Sequence, residues 1–454
     1  MLFNSLEFIL IFLPVTLILF YGIAKRISAE AAKLFLIVAS LIFYSYWDIS
    51  NLPILLLSIL CNYCFGRLII RYKTKKYLAM GVAFNLLLLL FFKYTGFIIE
   101  NLNIALNTSY KFRDIILPLG ISFFTFTQTA YLVDVYRRET ASYSKSDYLL
   151  FVTIFPHLIA GPILYHKDMI PQFNKTETYC INYENLYNGL LIFIYGLFKK
   201  VIIADNIAKL ADTVFLKSAQ ASFLDSWVGS FAYTLQLYFD FSGYSEMAIG
   251  LGLMLNMNLP QNFNLPYSST SIIEFWRRWH MTLSTFLKNY LYIPLGGNRT
   301  GHHMRNIMIT MLLGGLWHGA GWTFVLWGGM HGLFICINHL WKKTKISIPK
   351  LFSWLLTINA VNFAWIFFRA ENVGAAINII KNMFSLHAAN FSMNLLKLND
   401  LIMVICLLVL SLETFRRDYF RTLNKHVSAT IAAIIFLYIL SECGNKSVFL
   451  YFQF

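Results

Sequence analysis

Long stretches of apolar residues, separated by short polar segments, follow one another along the whole chain. A membrane helix needs about 20 apolar residues to cross roughly 30 Å of hydrocarbon, and many of these stretches approach that length. They lie near residues 8–24, 33–47, 52–70, 78–99, 115–136, 148–165, 186–203, 224–256, 305–341, 350–369, 399–412 and 427–443. The two longest could each hold two helices. The pattern therefore predicts an all-α polytopic membrane protein with roughly eleven to thirteen membrane helices.

Lysine and arginine are concentrated after alternate apolar stretches. The basic loops are Lys25, Arg26 and Lys33, the cluster from Arg67 to Lys76, and Arg137, Arg138 and Lys145. Because basic loops stay in the cytoplasm, the N-terminus is predicted to face outward. A secretory signal carries its basic residues before the apolar stretch, whereas here they follow it, so the first stretch is expected to remain as a span.

Two segments do not read as simple crossings. Met281–Pro294 is too short to cross straight and too apolar for a solvated loop, which predicts a re-entrant or in-plane helix. Lys199–Phe215 mixes lysine and aspartate with apolar residues, a pattern typical of a helix on the membrane surface. No repeat or soluble domain is visible, so residues 1–454 are interpreted as a single integral membrane domain.

Composition strengthens the membrane interpretation. Hydrophobic residues make up 58% of the chain and charged residues 13%, whereas a soluble surface needs roughly a quarter of its residues charged. These values exclude a soluble globular domain, a disordered chain and a small disulfide-stapled secreted domain. The net charge of +15 is assigned to the basic loops rather than to nucleic-acid binding. The six cysteines are scattered, most of them in apolar stretches, and predict no disulfide framework.

His318 is the strongest candidate for chemistry. It lies in an apolar stretch, flanked by Trp317 and Gly319, and a second Gly-Gly-Met-His-Gly segment follows at His331. A buried imidazole is expected to be neutral and therefore able to accept a proton. On one straight helix, His331 would project about 140° away from His318. The alternative is a glycine face for helix packing, with His318 bonded to a neighbouring carbonyl.

A second constellation combines arginine with tryptophan. Trp276, Arg277, Arg278 and Trp279 are consecutive, and His280 follows them. Two guanidinium groups beside two indoles suit an anion with a flat apolar part, such as the phosphates and adenine of a nucleotide cofactor. The alternative is an interfacial belt that anchors the end of a helix.

Gln236 and Asp240 form a third polar group, four residues apart and so on one face of a predicted helix. They could orient a histidine or line a tunnel, a role for which His331 is a candidate as well, or they could make ordinary interhelical hydrogen bonds. No metal is expected, because no set of His, Cys, Asp and Glu residues has ligand spacing. No phosphate-binding loop or dinucleotide fingerprint is present.

The chain closes on the aromatic segment Phe449-Leu450-Tyr451-Phe452-Gln453-Phe454. Chain ends are usually polar and loosely held, so an aromatic end that could enter a membrane pocket is unusual. The alternative is an anchor in the lipid interface.

Taken together, these segments resemble the membrane-bound O-acyltransferase family, in particular its bacterial alginate and peptidoglycan O-acetyltransferase branch. The motifs that carry the resemblance are Phe3-Asn4-Ser5, Leu117-Pro118-Leu119-Gly120-Ile121-Ser122-Phe123, Phe155-Pro156-His157 with Ala160-Gly161-Pro162-Ile163, the block Phe275–His280, the block Trp317-His318-Gly319 and the closing aromatic segment. Their order and spacing extend over nearly the whole chain.

The resemblance implies both a site and an architecture. His318 matches the active-site base of the family, and His280 matches a polar residue several tens of positions upstream. The implied fold is a ring of tilted helices with a cytoplasmic funnel for acetyl-CoA and an opposed outer funnel. Tyr451 matches the tyrosine of an aromatic motif that, in the related D-alanylation system, belongs to a small accessory peptide and is thought to accept the acyl group.

The function implied is acetyl transfer from cytoplasmic acetyl-CoA to an SGNH-type acetyltransferase partner on the outer side of the bacterial inner membrane. Peptidoglycan is the first choice of final acceptor, and alginate or another secreted polysaccharide is the second. The alternative from a different class is a transporter or flippase with a proton relay through His318 and Asp240, although no inverted repeat is visible.

Overall fold

The structure, a computed structural model, is helical throughout the part of the chain that it describes. The described residues are 1–111, 115–139, 143–159, 161–299, 301–385, 393–413, 424–442 and 449–450. None of them forms a strand. The predicted all-α class is confirmed.

Twenty α-helices are found within these ranges. They are α1 Leu13–Arg26, α2 Ala29–Ser45, α3 Leu52–Tyr72, α4 Lys75–Leu89, α5 Thr95–Leu106, α6 Ile121–Tyr136, α7 Lys145–Thr153, α8 Phe155–Leu158, α9 His166–Phe173, α10 Tyr183–Leu197, α11 Asp205–Leu216, α12 Phe223–Met254, α13 Ile272–Arg278, α14 Met281–Leu287, α15 His303–His318, α16 Trp322–Thr344, α17 Lys350–Arg369, α18 Val373–Met383, α19 Leu398–Glu413 and α20 Lys425–Glu442. Segments Phe8–Phe12, Leu90–Tyr94, Phe198–Ala204 and Lys288–Tyr292 are π-helical, and Ile49–Asn51, Thr176–Tyr179 and Pro266–Ser268 are 3₁₀ turns.

Among the described residues, six helical segments are long and apolar enough to cross a membrane: Phe8–Arg26, Ile49–Tyr72, Lys75–Leu106, Trp322–Thr344, Lys350–Arg369 and Lys425–Glu442. The protein is therefore a multi-pass membrane protein. The other apolar stretches found in the sequence form helices that are shorter or less apolar. These include α14, which with the π-helical turn after it covers most of the segment expected to be re-entrant or in-plane.

The two longest apolar stretches behave differently. Residues 224–256 form one continuous helix, α12, whereas the stretch 305–341 is divided between α15 and α16. The break lies at Gly319–Gly321, where the backbone is extended. A Cβ atom on Gly319 would lie 2.1 Å from the Phe324 ring, so only glycine allows the chain to turn this tightly against that side chain.

The chain divides into two compact units. The first contains residues 1–195, 244–260 and 443–453. Its core includes an aromatic cluster in which Phe3, Phe8, Phe43 and Phe155 are nearly inaccessible to solvent. A second feature is a buried amide pair, Asn62 of α3 and Asn85 of α4, joined by two hydrogen bonds of 3.0 and 2.7 Å. Such pairing satisfies polar groups that hydrocarbon cannot.

The second unit contains residues 196–243, 261–442 and 454. In it, α15 and α16 form an antiparallel pair that meets at Gly315 and Gly328. A Cβ on Gly315 would lie 2.3 Å from the carbonyl oxygen of Phe324, and one on Gly328 would lie 2.3 Å from that of Met311. Small residues at these points let the two helix backbones approach closely. Helix α17 packs against α16 and completes the surroundings of His318.

Candidate active site

His318 is the last residue of α15 and is buried, with 4% of its surface exposed. Its ring makes edge contacts with Trp327 of α16 and Phe368 of α17, at centroid distances of 5.0 and 5.2 Å. Trp317 lies on a third side at 4.9 Å. An imidazole in this aromatic environment is costly to charge, which favours the neutral form that a general base requires.

His331 belongs to α16 and not to the helix of His318, because the chain breaks between them. The projection of these residues on a single straight helix is therefore wrong. Both imidazoles contact the same indole, that of Trp327, each with a centroid distance of 5.0 Å. His331 is completely buried. It lies beside His318 because α15 and α16 pair.

A hydrogen bond determines which nitrogen of neutral His331 carries the proton. Trp276 Nε1, which can only donate, lies 3.2 Å from His331 Nδ1. His331 Nδ1 is therefore the acceptor, and the proton lies on Nε2. The Nε2 atom is buried and makes no hydrogen bond to a described residue. In this tautomer, the Nε2–H group of His331 can donate a hydrogen bond, but Nε2 cannot accept a proton.

His280 is held in the opposite tautomer. Its Nδ1 lies 3.0 Å from Asn262 Oδ1, which also accepts hydrogen bonds from Thr282 N at 3.3 Å and Thr282 Oγ1 at 2.9 Å. Because an amide oxygen only accepts, Nδ1 of His280 is the donor. The Nε2 atom of His280 then carries the lone pair. Asn262 therefore prepares His280 to act through Nε2 as a proton or hydrogen-bond acceptor.

The backbone at His280 is unusual as well. Its φ and ψ are 41° and 56°, in the left-handed region, immediately before α14 begins. A non-glycine residue there is strained, and such strain often marks a functional position. Burial lowers the pKa of His280, which lies outside the six candidate spans, to about 3. The imidazole is therefore neutral at physiological pH.

Contacts between aromatic rings connect the surroundings of His280 with those of His318 inside the second unit. Trp279, the neighbour of His280, lies 5.0 Å from Trp365, and Trp365 stacks on Trp327 at 5.6 Å. Trp327 in turn contacts His318. The His280 ring meets Phe241 edge-on at 4.7 Å, and Phe241 leads through Phe263 to Trp279. His280 and His318 thus belong to one continuous aromatic cluster.

A cavity of about 400 Å³ lies between α13, α14, α15 and α16. Its wall combines cationic and apolar groups: Trp276, Arg277, Lys288, Tyr292 and His339, with Ile273, Ser284, Leu287, Asn298, Ile307, Thr310, Met311 and Ile335. Arg277 and Lys288 are exposed. Trp276 lines the cavity and reaches His331 with its indole nitrogen, so this residue connects the cavity wall to the histidine cluster.

Two of the four residues expected to bind a cofactor do not line this cavity. Arg278 forms an ion pair with Glu274 at 2.8 Å and a hydrogen bond to Ser268. Trp279 is 2% exposed and stacks on Phe275 and Tyr267. Trp276 and Arg277 lie on the cavity, whereas Arg278 is paired within the protein and Trp279 packs in the core.

Asp240 is buried, but its ionic partner is Lys200. The distance from Lys200 Nζ to Asp240 Oδ1 is 2.6 Å, and the same ammonium lies 2.8 Å from Asp205 Oδ1. Burial alone would lower the pKa of Lys200, but the carboxylates of Asp240 and Asp205 raise it above its ordinary value. Gln236 is buried one turn earlier, and its Oε1 makes no hydrogen bond to a described residue.

The prediction of a surface helix over Lys199–Phe215 is therefore wrong for its first residues. Lys199 and Lys200 are each only 2% exposed and lie in the π-helical turn Phe198–Ala204. The sequence signal for this burial is the position of the two lysines at the end of the apolar stretch 186–203. A π turn is often found at functional positions.

Tyr451 lies outside the described residues. The two preceding residues, Phe449 and Leu450, are described and buried. Within the first unit, the Phe449 ring meets Tyr244 edge-on at a centroid distance of 4.5 Å. The start of the closing aromatic segment is therefore packed inside the protein.

Comparison with known proteins identifies the family. The model of the MBOAT, membrane-bound O-acyltransferase family, matches residues 41–372. A peptidoglycan O-acetyltransferase of Helicobacter pylori is 40% identical and is aligned over 100% of this chain and 98% of its own length. A probable alginate O-acetylase of Pseudomonas aeruginosa is 42% identical over 92% of this chain and 82% of its own.

A more distant similarity links the chain to D-alanylation. A teichoic acid D-alanyltransferase of Streptococcus thermophilus is 27% identical over 51% of this chain and 59% of its own length. The resemblance seen in the motifs is thus confirmed across most of the sequence, and an acyltransferase is supported over a transporter. The chain belongs to the membrane-bound O-acyltransferase family.

Proposed function

We propose that the protein is an acetyl-CoA-dependent O-acetyltransferase of the bacterial inner membrane that passes acetyl to an SGNH-type partner on the outer side for O-acetylation of peptidoglycan. The observation that carries the proposal is the connection between a cationic cavity and His318. Trp276 and Arg277 line the cavity, and Trp276 leads through His331 and Trp327 to His318.

The cavity suits the donor. Arg277 and Lys288 offer positive charge to the phosphates of acetyl-CoA, and the Trp276 ring offers a flat apolar surface. Lys342 and Lys343 end α16, the helix that supplies His339 to the cavity wall. Basic helix ends favour the cytoplasmic side, where acetyl-CoA is found.

In the proposed step, neutral His318 accepts the proton of an acceptor hydroxyl. The hydroxyl oxygen attacks the thioester carbonyl carbon, the carbon–sulfur bond breaks, and CoA leaves as a thiolate that takes up a proton. General base catalysis of this kind contributes about 10²–10⁴ in rate. His280, with its Nε2 lone pair directed by Asn262, is proposed to accept a hydrogen bond from a second group at the reacting centre.

Tyr451 is proposed as the acceptor that carries acetyl toward the outer partner. A phenol is a reasonable acyl carrier, because its ester is activated enough to pass acetyl onward. The proposal draws on the tyrosine position in the closing segment and on the similarity to a D-alanyltransferase.

Alginate is the second candidate acceptor. Probable alginate O-acetylases from several bacteria are 40–44% identical to this chain, and the one from Pseudomonas putida is aligned over the full length of both proteins. Peptidoglycan remains the first choice, and chemical analysis of O-acetyl groups on each glycan in a deletion strain separates the two.

The test uses purified full-length protein with acetyl-CoA labelled in the acetyl group. The expected result is release of free CoA and label on the terminal peptide, both lost in His318→Ala, which lacks the base, and both lost in Tyr451→Phe, which lacks the acceptor hydroxyl. Absence of CoA release by the folded wild type would refute the enzyme assignment. Full glycan acetylation by Tyr451→Phe cells would refute the carrier role while leaving the enzyme intact.

A further inference from the structure

An apolar groove runs along α1 in the first unit. It has a volume of about 860 Å³ and is lined by Pro14, Leu17, Ile18 and Gly22 of α1 and by Leu186 of α10, among others. Ile18 is 70% exposed. Because α1 belongs to a candidate span, the groove is at a level where lipid chains, rather than water, are the surrounding medium.

A polar cleft of about 630 Å³ adjoins this groove. The two cavities share Tyr21, Lys25, Ile181 and Tyr183 in their walls. The cleft adds Lys33 of α2 and Lys175, together with Glu30. Arg26, the last residue of α1, lines the groove at its polar end. The combined site is therefore apolar at one end and cationic at the other.

Lys33 is the ion-pair partner of two carboxylates beside the cleft, those of Glu30 and Asp147. Glu30 accepts from Lys33 at 3.0 Å and from Ser146 at 2.7 Å. Lys33 is also paired with Asp147 at 2.7 Å. Three exposed cations remain, Lys25, Arg26 and Lys175, and none of them forms an ion pair with another described residue.

We propose that this combined site binds one anionic phospholipid, with an acyl chain in the groove along α1 and the phosphate in the cleft beside Lys25 and Lys175. Charge complementarity selects the head group, because Lys25 and Lys175 line the cleft and form no ion pair with a described carboxylate. The apolar groove that continues from the cleft selects a lipid over a free phosphate. Basic pockets next to membrane helices bind anionic head groups for these reasons.

The charge arm of the experiment measures binding of phosphatidylglycerol to the purified full-length protein by native mass spectrometry, with phosphatidylcholine as the zwitterionic comparison. One phosphatidylglycerol is expected to be retained per protein, and more tightly than phosphatidylcholine. Each cation near a membrane surface contributes about five-fold in affinity, so Lys25→Gln with Lys175→Gln should weaken binding about 25-fold. The matched control, Lys75→Gln with Lys76→Gln, removes two exposed lysines outside both cavities and should change nothing.

The groove arm uses Gly22, which lies in the groove wall. A Cβ atom built on Gly22 meets no atom within 4 Å, so Gly22→Leu fills the groove without disturbing packing. It should weaken phosphatidylglycerol binding at least ten-fold at unchanged charge. Gly96→Leu is the control, because Gly96 is equally open but lies outside both cavities.

Four results would overturn the proposal. Equal retention of phosphatidylcholine would show that the cations do not select the head group. Unchanged binding in Gly22→Leu would remove the role of the groove, and displacement of the lipid by inorganic phosphate alone would show that only the head group is recognised. An effect of the Lys75/Lys76 control as large as that of the cleft pair would indicate general surface charge instead of a site.

Discussion

The Nζ atom of Lys200 donates to the Oδ1 atom of Asp240 at 2.6 Å, and both side chains are almost completely buried. This contact assigns to Asp240 a cationic partner from the π-helical turn before α11. A buried pair is costly to desolvate, and its attraction compensates only while both partners are present. The second carboxylate, Asp205, is partly exposed and provides further compensation for Lys200.

Replacing Lys200 alone should therefore destabilise the protein strongly. Lys200→Met leaves the Asp240 carboxylate buried without its cation, for which the expected loss is about 3–5 kcal/mol in the free energy of unfolding. Thermal unfolding of the purified protein in detergent measures the effect. The double variant Lys200→Met with Asp240→Leu should recover most of the loss, since the only carboxylate that then lacks Lys200 is Asp205, which is partly exposed to solvent. A double variant as unstable as the single one would contradict this account of the pair.

His318 and His331 should respond differently to substitution, although both touch Trp327. His318→Ala is expected to reduce acetyl transfer by about 10²–10⁴ while the protein stays folded in the membrane, because the proposed base is lost. His331→Ala removes the acceptor of the Trp276 indole nitrogen inside the core, so its main effect should be on thermal stability. Activity per folded molecule and unfolding temperature, measured for both variants, distinguish the two roles. Normal acetyl transfer by a well-folded His318→Ala variant would show that His318 is not the catalytic base.

Arg277 and Arg278 are adjacent in sequence and differ in surroundings. Arg277→Ala should weaken acetyl-CoA binding, and the loss should shrink as salt is added, because a partly exposed charge contact is screened. Arg278→Ala is the matched control: it breaks the ion pair with Glu274 and does not touch the cavity. Titration of acetyl-CoA at two ionic strengths provides the measurement. Equal weakening by both substitutions would indicate a general electrostatic effect.

Local patterns in the sequence reveal much of this protein. Apolar stretches identify its helical membrane character, and the glycines and tryptophans around His318 predict a close-packed apolar site, because both signals depend on neighbouring residues. Contacts between residues that are far apart in sequence cannot be predicted from such local patterns. The pairing of Lys200 with Asp240 and that of Asn262 with His280 arise when separate helices and loops pack, and no periodicity encodes that.

The same limit explains why the four consecutive arginine and tryptophan residues lie in different surroundings. Trp276, Arg277, Arg278 and Trp279 look equivalent along the chain, but α13 is a single short helix with its faces in different surroundings. Trp276 and Arg277 face the cavity, whereas Arg278 pairs with Glu274 and Trp279 packs in the core. The packing of α13 against the 3₁₀ turn Pro266–Ser268, α14, α16 and α17 decides which residue lies on which face.

Asn262 should act on catalysis through the tautomer of His280. Asn262→Ala removes the acceptor of His280 Nδ1–H, so the lone pair is no longer held on Nε2, and the maximal rate is expected to fall with little change in the KM for acetyl-CoA. Thr282→Val is the control, because it removes a second donor to the same amide oxygen and leaves the His280 contact in place. A full rate in Asn262→Ala would show that the tautomer is not needed.

Asn262→Asp extends the test to pH. Burial lowers the pKa of His280 to about 3, so its protonation should not limit the wild-type rate near neutral pH. A carboxylate at position 262 favours the charged imidazole and raises that pKa. The proposed role needs the neutral imidazole of His280. The rate of Asn262→Asp should therefore fall as pH decreases through the raised pKa, so the acidic limb of its pH–rate profile should lie at higher pH than that of the wild type. Asn262→Ala introduces no charge and should leave the limb in place. An unmoved acidic limb in a folded Asn262→Asp protein would mean that His280 does not act in its neutral form, since no purely structural role of Asn262 predicts the shift.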